Sequence, residues 1–210
     1  MTGRILAVCL VHKDIPAPGK AGKSAIDKRP VDGPVIARSL GLDGDHQCNT
    51  HVHGGVDKAV YAYAEEDARR WQDELRRDML PGSFGENLRM EGVACSDAVI
   101  GSRWAVGGSV LEVVGPRTPC SAFQMFTGED NWVKRFSDRG DTGTYLRVVK
   151  EGPITAGDAV TLVHVPAHGA TNRDVFHGLN VDRLERLLAE EPTLSDGIRE
   201  KVERHLARES

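Results

Sequence analysis

The chain has 210 residues, enough to bury one substantial core or a core with a small appendage. Its net charge of −4 excludes the overall basic character that nucleic acid or an anionic membrane surface selects, so neither is expected as a partner. With 23 glycines and 5% aromatic residues, the composition favours turns and short elements over long helices.

The first element, RILAVCLV, holds an apolar run of about seven residues ended by His12, Lys13 and two prolines. It is too short for a membrane span and no small-residue cleavage site follows it, so a soluble cytoplasmic protein is expected. PVIARSL, KAVYAYA, ENLRM, SRWAV, SVLEVV, TYLRVV and AVTLVHV follow along the chain. Their β-branched and aromatic content and their spacing between Gly, Pro or Asp turns predict strands. Gly107-Gly108 joins SRWAV to SVLEVV, and glycine accepts positive φ at both central positions of a two-residue hairpin turn. Many hairpin-like strands and few crossover helices predict a mainly β (α+β) chain, an antiparallel barrel or sandwich with peripheral helices.

Helices interrupt the strands. In residues 65–79, Ala68, Trp71, Leu75 and Met79 recur every three or four positions and lay one apolar stripe on the core. NWVKRF reads as a short helix capped by Asn131. After Pro166, Val181, Leu184, Leu187 and Leu188 form one stripe, and Ile198, Val202 and Leu206 form another behind a Ser195 cap. The expected division is therefore a β domain over 1–166 and a small helical unit over 167–210.

Four stretches could carry chemistry. GKSAIDKRPV (22–31) reads as a glycine-led loop with Lys23, Ser24, Lys28 and Arg29, cations and a hydroxyl suited to a phosphate. It lacks the first glycine of a Walker loop, and a solvated basic loop accounts for the same residues. GDHQCNTHVHGG (44–55) gathers His46, Cys48, His51 and His53. Their spacing matches no common zinc pattern, and a loop whose histidines bond to backbone explains them as well. PGSFGENL (81–88) sets Glu86 and Asn87 behind a turn. GPRTPCSAF (115–123) presents Cys120 from backbone stiffened by Pro116 and Pro119, with Arg117 three residues upstream. A thiolate beside a cation is a nucleophile and a soft metal ligand, while a buried structural cysteine fits the same stretch equally well. Cys9, Cys48, Cys95 and Cys120 make neither an iron–sulfur nor a zinc-ribbon pattern, and reduced thiols are expected.

Taken in order, GKSAIDKRPV, GLDGDHQCNTHVHGGVDKAVYAY, GSFGENL, VIGSRWAVGGSVLEVVGPRTPC and TGTYLRVVKEGPITAGDAV resemble the MOSC domain family, named for the C-terminal domain of molybdenum cofactor sulfurase. The resemblance covers about residues 5–165 and is to the stand-alone bacterial, YiiM-like branch; the tail resembles the three-helix unit that often follows it. It implies a MOSC-type antiparallel β-barrel and binding of the molybdenum cofactor, a pterin dithiolene with a terminal phosphate. It also implies reduction of N-hydroxylated small molecules such as hydroxylaminopurines and amidoximes. By the same resemblance Cys120 is the thiolate ligand of molybdenum and Lys23 and Ser24 meet the pterin phosphate. Asp45, Gln47 and the catalytic candidate His53 then line the cofactor mouth, and Glu86, Asn87 and Arg117 lie close to the cofactor. No nicotinamide, flavin or ferredoxin fingerprint is present, so a separate reductase is the expected electron donor, acting on a monomer or homodimer. Two alternatives stand beside this: a sulfur carrier using a Cys120 persulfide, and a zinc-dependent hydrolase built on His46, His51 and His53.

Overall fold

A computed structural model describes residues 2–48 and 54–209. Seven strands close into a barrel: β1 (Thr2–Pro16), β5 (Val60–Ala64), β6 (Leu88–Glu91), β7 (Arg103–Val106), β8 (Ser109–Gly115), β9 (Thr144–Lys150) and β11 (Ala159–His164). They pair in the order β11-β7-β8-β9-β5-β6-β1, and β1 pairs back onto β11. All of these pairings are antiparallel except β5–β6, which is parallel because helix α1 (Glu65–Leu75) carries the chain across between them. β1 lies between β6 and β2 (Lys23–Pro30) in the sheet order and is long enough to pair with both as well as with β11. Its first half pairs with β6, and its second half, from Cys9 to Pro16, pairs with β2. A small sheet of β10 (Gly152–Ile154), β3 (Val35–Arg38) and β4 (Gly41–Leu42) lies alongside.

Alternation on β5 divides the core. Val60, Ala62 and Ala64 point into the barrel beside Ile5, Leu88, Leu111 and Leu146, while Tyr61 and Tyr63 point outward. That outer face is also buried, because α1, α2 (Ser121–Thr127) and α3 (Trp132–Arg139) cover it with Trp71, Phe123, Trp132 and Phe136. Phe84 fills the centre of this aromatic layer, stacked on Tyr63 at 4.0 Å between centroids. The chain then continues into α4 (Asn172–His177), α5 (Val181–Glu190) and α6 (Asp196–Glu209). The boundary expected near residue 167 falls in the link between β11 and α4, and Val175, Leu184, Leu187 and Val202 join the same apolar cluster as the barrel interior. Among the described residues no helix is long and apolar enough to cross a membrane.

Local expectations are corrected at four places. GKSAIDKRPV is a strand and not a loop, since pairing to β1 satisfies its backbone and buries Ile26, Asp27 and Lys28. Only Gly107 of the hairpin pair takes positive φ, at 54°. A Cβ at Gly108 would lie 2.6 Å from Pro153, so the second glycine is needed for close approach and not for its backbone angle. Met79 is buried, yet α1 has already ended at Arg76 in the left-handed conformation. Asn131 precedes α3 without a side-chain capping bond, itself left-handed at φ 54°. The well-formed capping box belongs to Thr171 and Asp174 of α4.

Candidate functional site

A cavity of about 200 Å³ opens between β2, the segment after β4 and the turn from β8 into α2. Lys23, Ser24, Gln47, Asn87, Arg117 and Cys120 all line it, although they are spread over almost 100 positions of sequence. The tertiary reason is visible at Asp45. Its carboxylate accepts hydrogen bonds from the Val11 amide at 2.9 Å, from Asn87 Nδ2 at 2.8 Å and from the Lys28 ammonium. Asn87 in turn accepts from the Tyr61 amide with Oδ1. One buried acid thus ties β1, β2, β5 and the approach to β6 together behind the cavity. Asp45 does not line the cavity itself; it holds Lys28 and Asn87, which do. Burial pulls the Lys28 ammonium below its ordinary value, and Asp45 opposes that pull.

Arg117 is the most telling group. It is 7% exposed and meets no carboxylate among the described residues. Its guanidinium donates to the Phe84 carbonyl and lies 4.1 Å from the Phe123 ring centroid and 4.9 Å from that of Tyr61. Ring faces and a carbonyl leave its charge uncompensated at the cavity wall. Cys120 is half-buried, in extended backbone directly before α2, and lines the same cavity as an electrostatic neighbour of Arg117. The other thiols divide cleanly. Cys9 and Cys95 are sealed in the core with burial raising their pKa values, whereas Cys48 lines the cavity.

Asp14 organises the rim. It accepts from Lys23 Nζ at 2.6 Å, lies 2.7 Å from His46 Nε2 and takes a longer bond from Cys48 Sγ at 3.4 Å. The bonds from Lys23 and then His46 hold its carboxyl down to about 2. Lys23 is therefore a rim cation already engaged by an acid. Asp14, His46 and Cys48 bring one oxygen, one nitrogen and one sulfur donor within 4.8 Å of one another. His51 and His53, expected with His46 in a zinc site and, for His53, at the cofactor mouth, lie outside the described residues.

Glu86 is corrected. It is fully buried and faces away from the cavity, accepting from the Gly82 and Phe84 amides and pairing with Arg89 at 2.6 Å. Arg89, also sealed, reaches Glu65 as well, so Glu86 shapes the GSFGENL turn and offers nothing to a ligand. Lys58, Tyr61 and Tyr145 line the cavity without having been expected there. The outward phase of KAVYAYA places Tyr61 on this side, but nothing local marks Lys58 or Tyr145.

The chain is thus a closed β-barrel with a cation-lined cavity on its flank and a thiol in that cavity's wall. Residues 49–161 match the family model described as MOSC domain. The chain belongs to the MOSC domain family, in its stand-alone, YiiM-like branch. It is 32% identical over 177 residues to the uncharacterised protein YflK of Bacillus subtilis, covering 82% of this chain and 80% of that one. It is 33% identical over 147 residues to a protein of Gibberella moniliformis named Reductase, covering 68% of this chain but 26% of that much longer protein. The crystal structure of YiiM from Geobacillus stearothermophilus superposes with a TM-score of 0.78 at 25% identity, over 97% of this chain and 99% of that one.

Proposed function

We propose that the cavity binds the molybdenum cofactor and that the protein, in the cytoplasm, reduces N-hydroxylated small molecules with electrons from a separate reductase. The observation that carries this is the buried Arg117 guanidinium, without a carboxylate partner, beside the Cys120 thiol. The donor set fits such a group: Cys120 offers one soft sulfur ligand, and Lys28, Lys58 and Arg117 offset the negative charge of a phosphate and a dithiolene. When bound, the cofactor supplies the two-electron chemistry by which an N–OH compound, two electrons and two protons become an amine and water. The protein's own residues bind, orient and shield. Ser24 offers a hydrogen bond, Asn87 is held in the wall by Asp45, the Cys9 carbonyl and the Tyr61 amide, and Tyr61 and Tyr145 wall the cavity on the barrel side. Lys58, whose ammonium is drawn below its ordinary value by burial, holds a proton at Nζ on the cavity wall. The family membership and the relative named Reductase both support an oxidoreductase.

Metal and pterin analysis of protein made in a molybdenum-replete host tests the proposal. Molybdenum and pterin in equal amounts, both lost in Cys120→Ser, are expected. Zinc retained without molybdenum or pterin would favour a hydrolase, and a persulfide on Cys120 without molybdenum would favour a sulfur carrier.

A further inference from the structure

A second cavity, of about 290 Å³, lies where α6 meets the barrel, and Lys58 and Tyr145 line both it and the first. One wall is the stretch from Gly115 through Thr118 that leads directly into Cys120; the opposite wall is α6. Gly115 makes the junction possible: a Cβ there would come within 2.4 Å of Ile198 Cδ1, so the helix packs against the bare end of β8. Gly197, Lys201 and Arg204, four and then three residues apart, share the helix face that closes this cavity.

Lys201, on that face, lacks an acidic counterpart among the described residues. Lys201 forms no ion pair or hydrogen bond among the described residues; its ammonium sits 4.2 Å from the centroid of the Phe176 ring. Among the described residues that line the cavity the one carboxylate, Asp57, is taken by Arg147 at 2.9 Å. Arg204 meets Glu200 at 3.7 Å, with both side chains well exposed. Burial first, and then the neighbouring Arg204, pull the Lys201 ammonium down to about 8. A half-buried Lys201 without an acid, beside an exposed Arg204 whose only pair is a long, solvent-screened one with Glu200, forms a receptor for an anion.

We propose that this cavity holds the phosphate of the substrate, so that the substrate class is the nucleoside phosphate bearing an N-hydroxylated base, and not the free base. This rests on the reductase reading of the Cys120 cavity and extends it. The tyrosine-walled side suits a planar ring, the cationic side suits a phosphate monoester, and Lys58 and Tyr145 join the two. The volume is far greater than a bare phosphate fills, which leaves room for the sugar.

Calorimetric titration of the purified protein with adenosine 5′-monophosphate, adenosine and inorganic phosphate tests this without any turnover. The monophosphate should bind about ten-fold or more tighter than either other probe, as loss of a charge-assisted contact implies. Lys201→Gln and Arg204→Gln should each collapse that advantage toward unity, and Lys201→Arg should keep it, with melting curves confirming that every variant is folded. Equal binding of monophosphate and adenosine overturns the proposal. So does an advantage that survives Lys201→Gln and Arg204→Gln but vanishes in Lys23→Ala, because the phosphate would then sit in the first cavity. The two readings separate. A phosphate preference in a protein that takes up no molybdenum refutes only the reductase, whereas N-hydroxyadenine reduced as efficiently as its nucleoside monophosphate refutes only this inference.

Discussion

Replacing Lys28 by methionine tests whether the buried acid behind the cavity is what holds the site together. Lys28 and Asp45 have side chains 8% and 2% exposed, and removing one partner of so buried a pair costs about 3–5 kcal/mol. Asp45 would keep its bonds from the Val11 amide at 2.9 Å and Asn87 Nδ2 at 2.8 Å, which places the loss at the low end, about 3 kcal/mol. In a chain of this size each kcal/mol moves the melting temperature by about 2–4 °C, so a drop of about 6–12 °C is expected. Asp45→Asn in the same protein removes the stranded charge, leaves an amide able to accept from Val11, and should recover most of that loss. Urea unfolding of the wild type, both single variants and the double variant gives the coupling directly, with about 2 kcal/mol expected. A coupling below about 0.5 kcal/mol would refute the reasoning, for it would mean that Lys28 and Asp45 are each solvated well enough to act alone.

Cys120→Ser should leave the melting temperature almost unchanged, because the thiol is half-buried and makes no hydrogen bond on which the fold depends, while molybdenum content falls to background in elemental analysis. Lys23→Ala removes only an exposed pair with Asp14, so thermal stability should hold while pterin occupancy, read by fluorescence of the released pterin, falls several-fold. Asp67 is pushed up to about 6 by burial and then by Asp141, so the folded chain holds its proton more tightly than the unfolded chain does. That contribution is full below about pH 4 and is lost as pH rises through 6, a loss of about 3 kcal/mol. Asp67→Asn should flatten the unfolding free energy between pH 4 and 7 by about that amount, and an unchanged pH profile would show that Asp67 titrates normally.

The strands that close the barrel were legible because all but β6 are runs with β-branched or aromatic residues cut off by turn residues, and hairpin neighbours pair locally. β2 was not. Its Lys-Ser start and its three charged residues carry no apolar alternation, and it becomes a strand because the second half of β1 offers an edge and because Asp45, many residues away, receives Lys28. α2 was missed for a related reason: seven residues behind Pro119 give no periodicity to read, and Phe123 is fixed by packing among Trp132, Phe136 and Phe84. Within the site, Cys120, Lys23, Ser24, Gln47, Asn87 and Arg117 were reached from their motifs and do meet at one cavity. Glu86 was misassigned because nothing in the stretch marks Arg89, three residues on, as its buried partner. Lys58 and Tyr145 come from separate parts of the chain and meet only once β5 and β9 pair, which no local pattern records.

The same separation explains how an acidic chain comes to have a cation-lined cavity. The sequence has 31 acidic and 27 basic side chains, and by that count should repel a phosphate. Yet Lys20, Lys23, Lys28, Lys58 and Arg117 line the first cavity with no carboxylate among its lining residues. The acids that belong to these cations sit behind them or at the rim: Asp45 beneath Lys28, and Asp14 beside Lys23. Placed there, they hold the cations in position without covering the faces turned to the cavity, and low-dielectric walls keep the resulting field from being screened. Arg117 is the extreme case, its charge met by two ring faces and one carbonyl and by no acid. A buried guanidinium so arranged is costly, and the cofactor of the proposed function, bound beside it, would relieve that cost, so part of that affinity would be built into the folded chain.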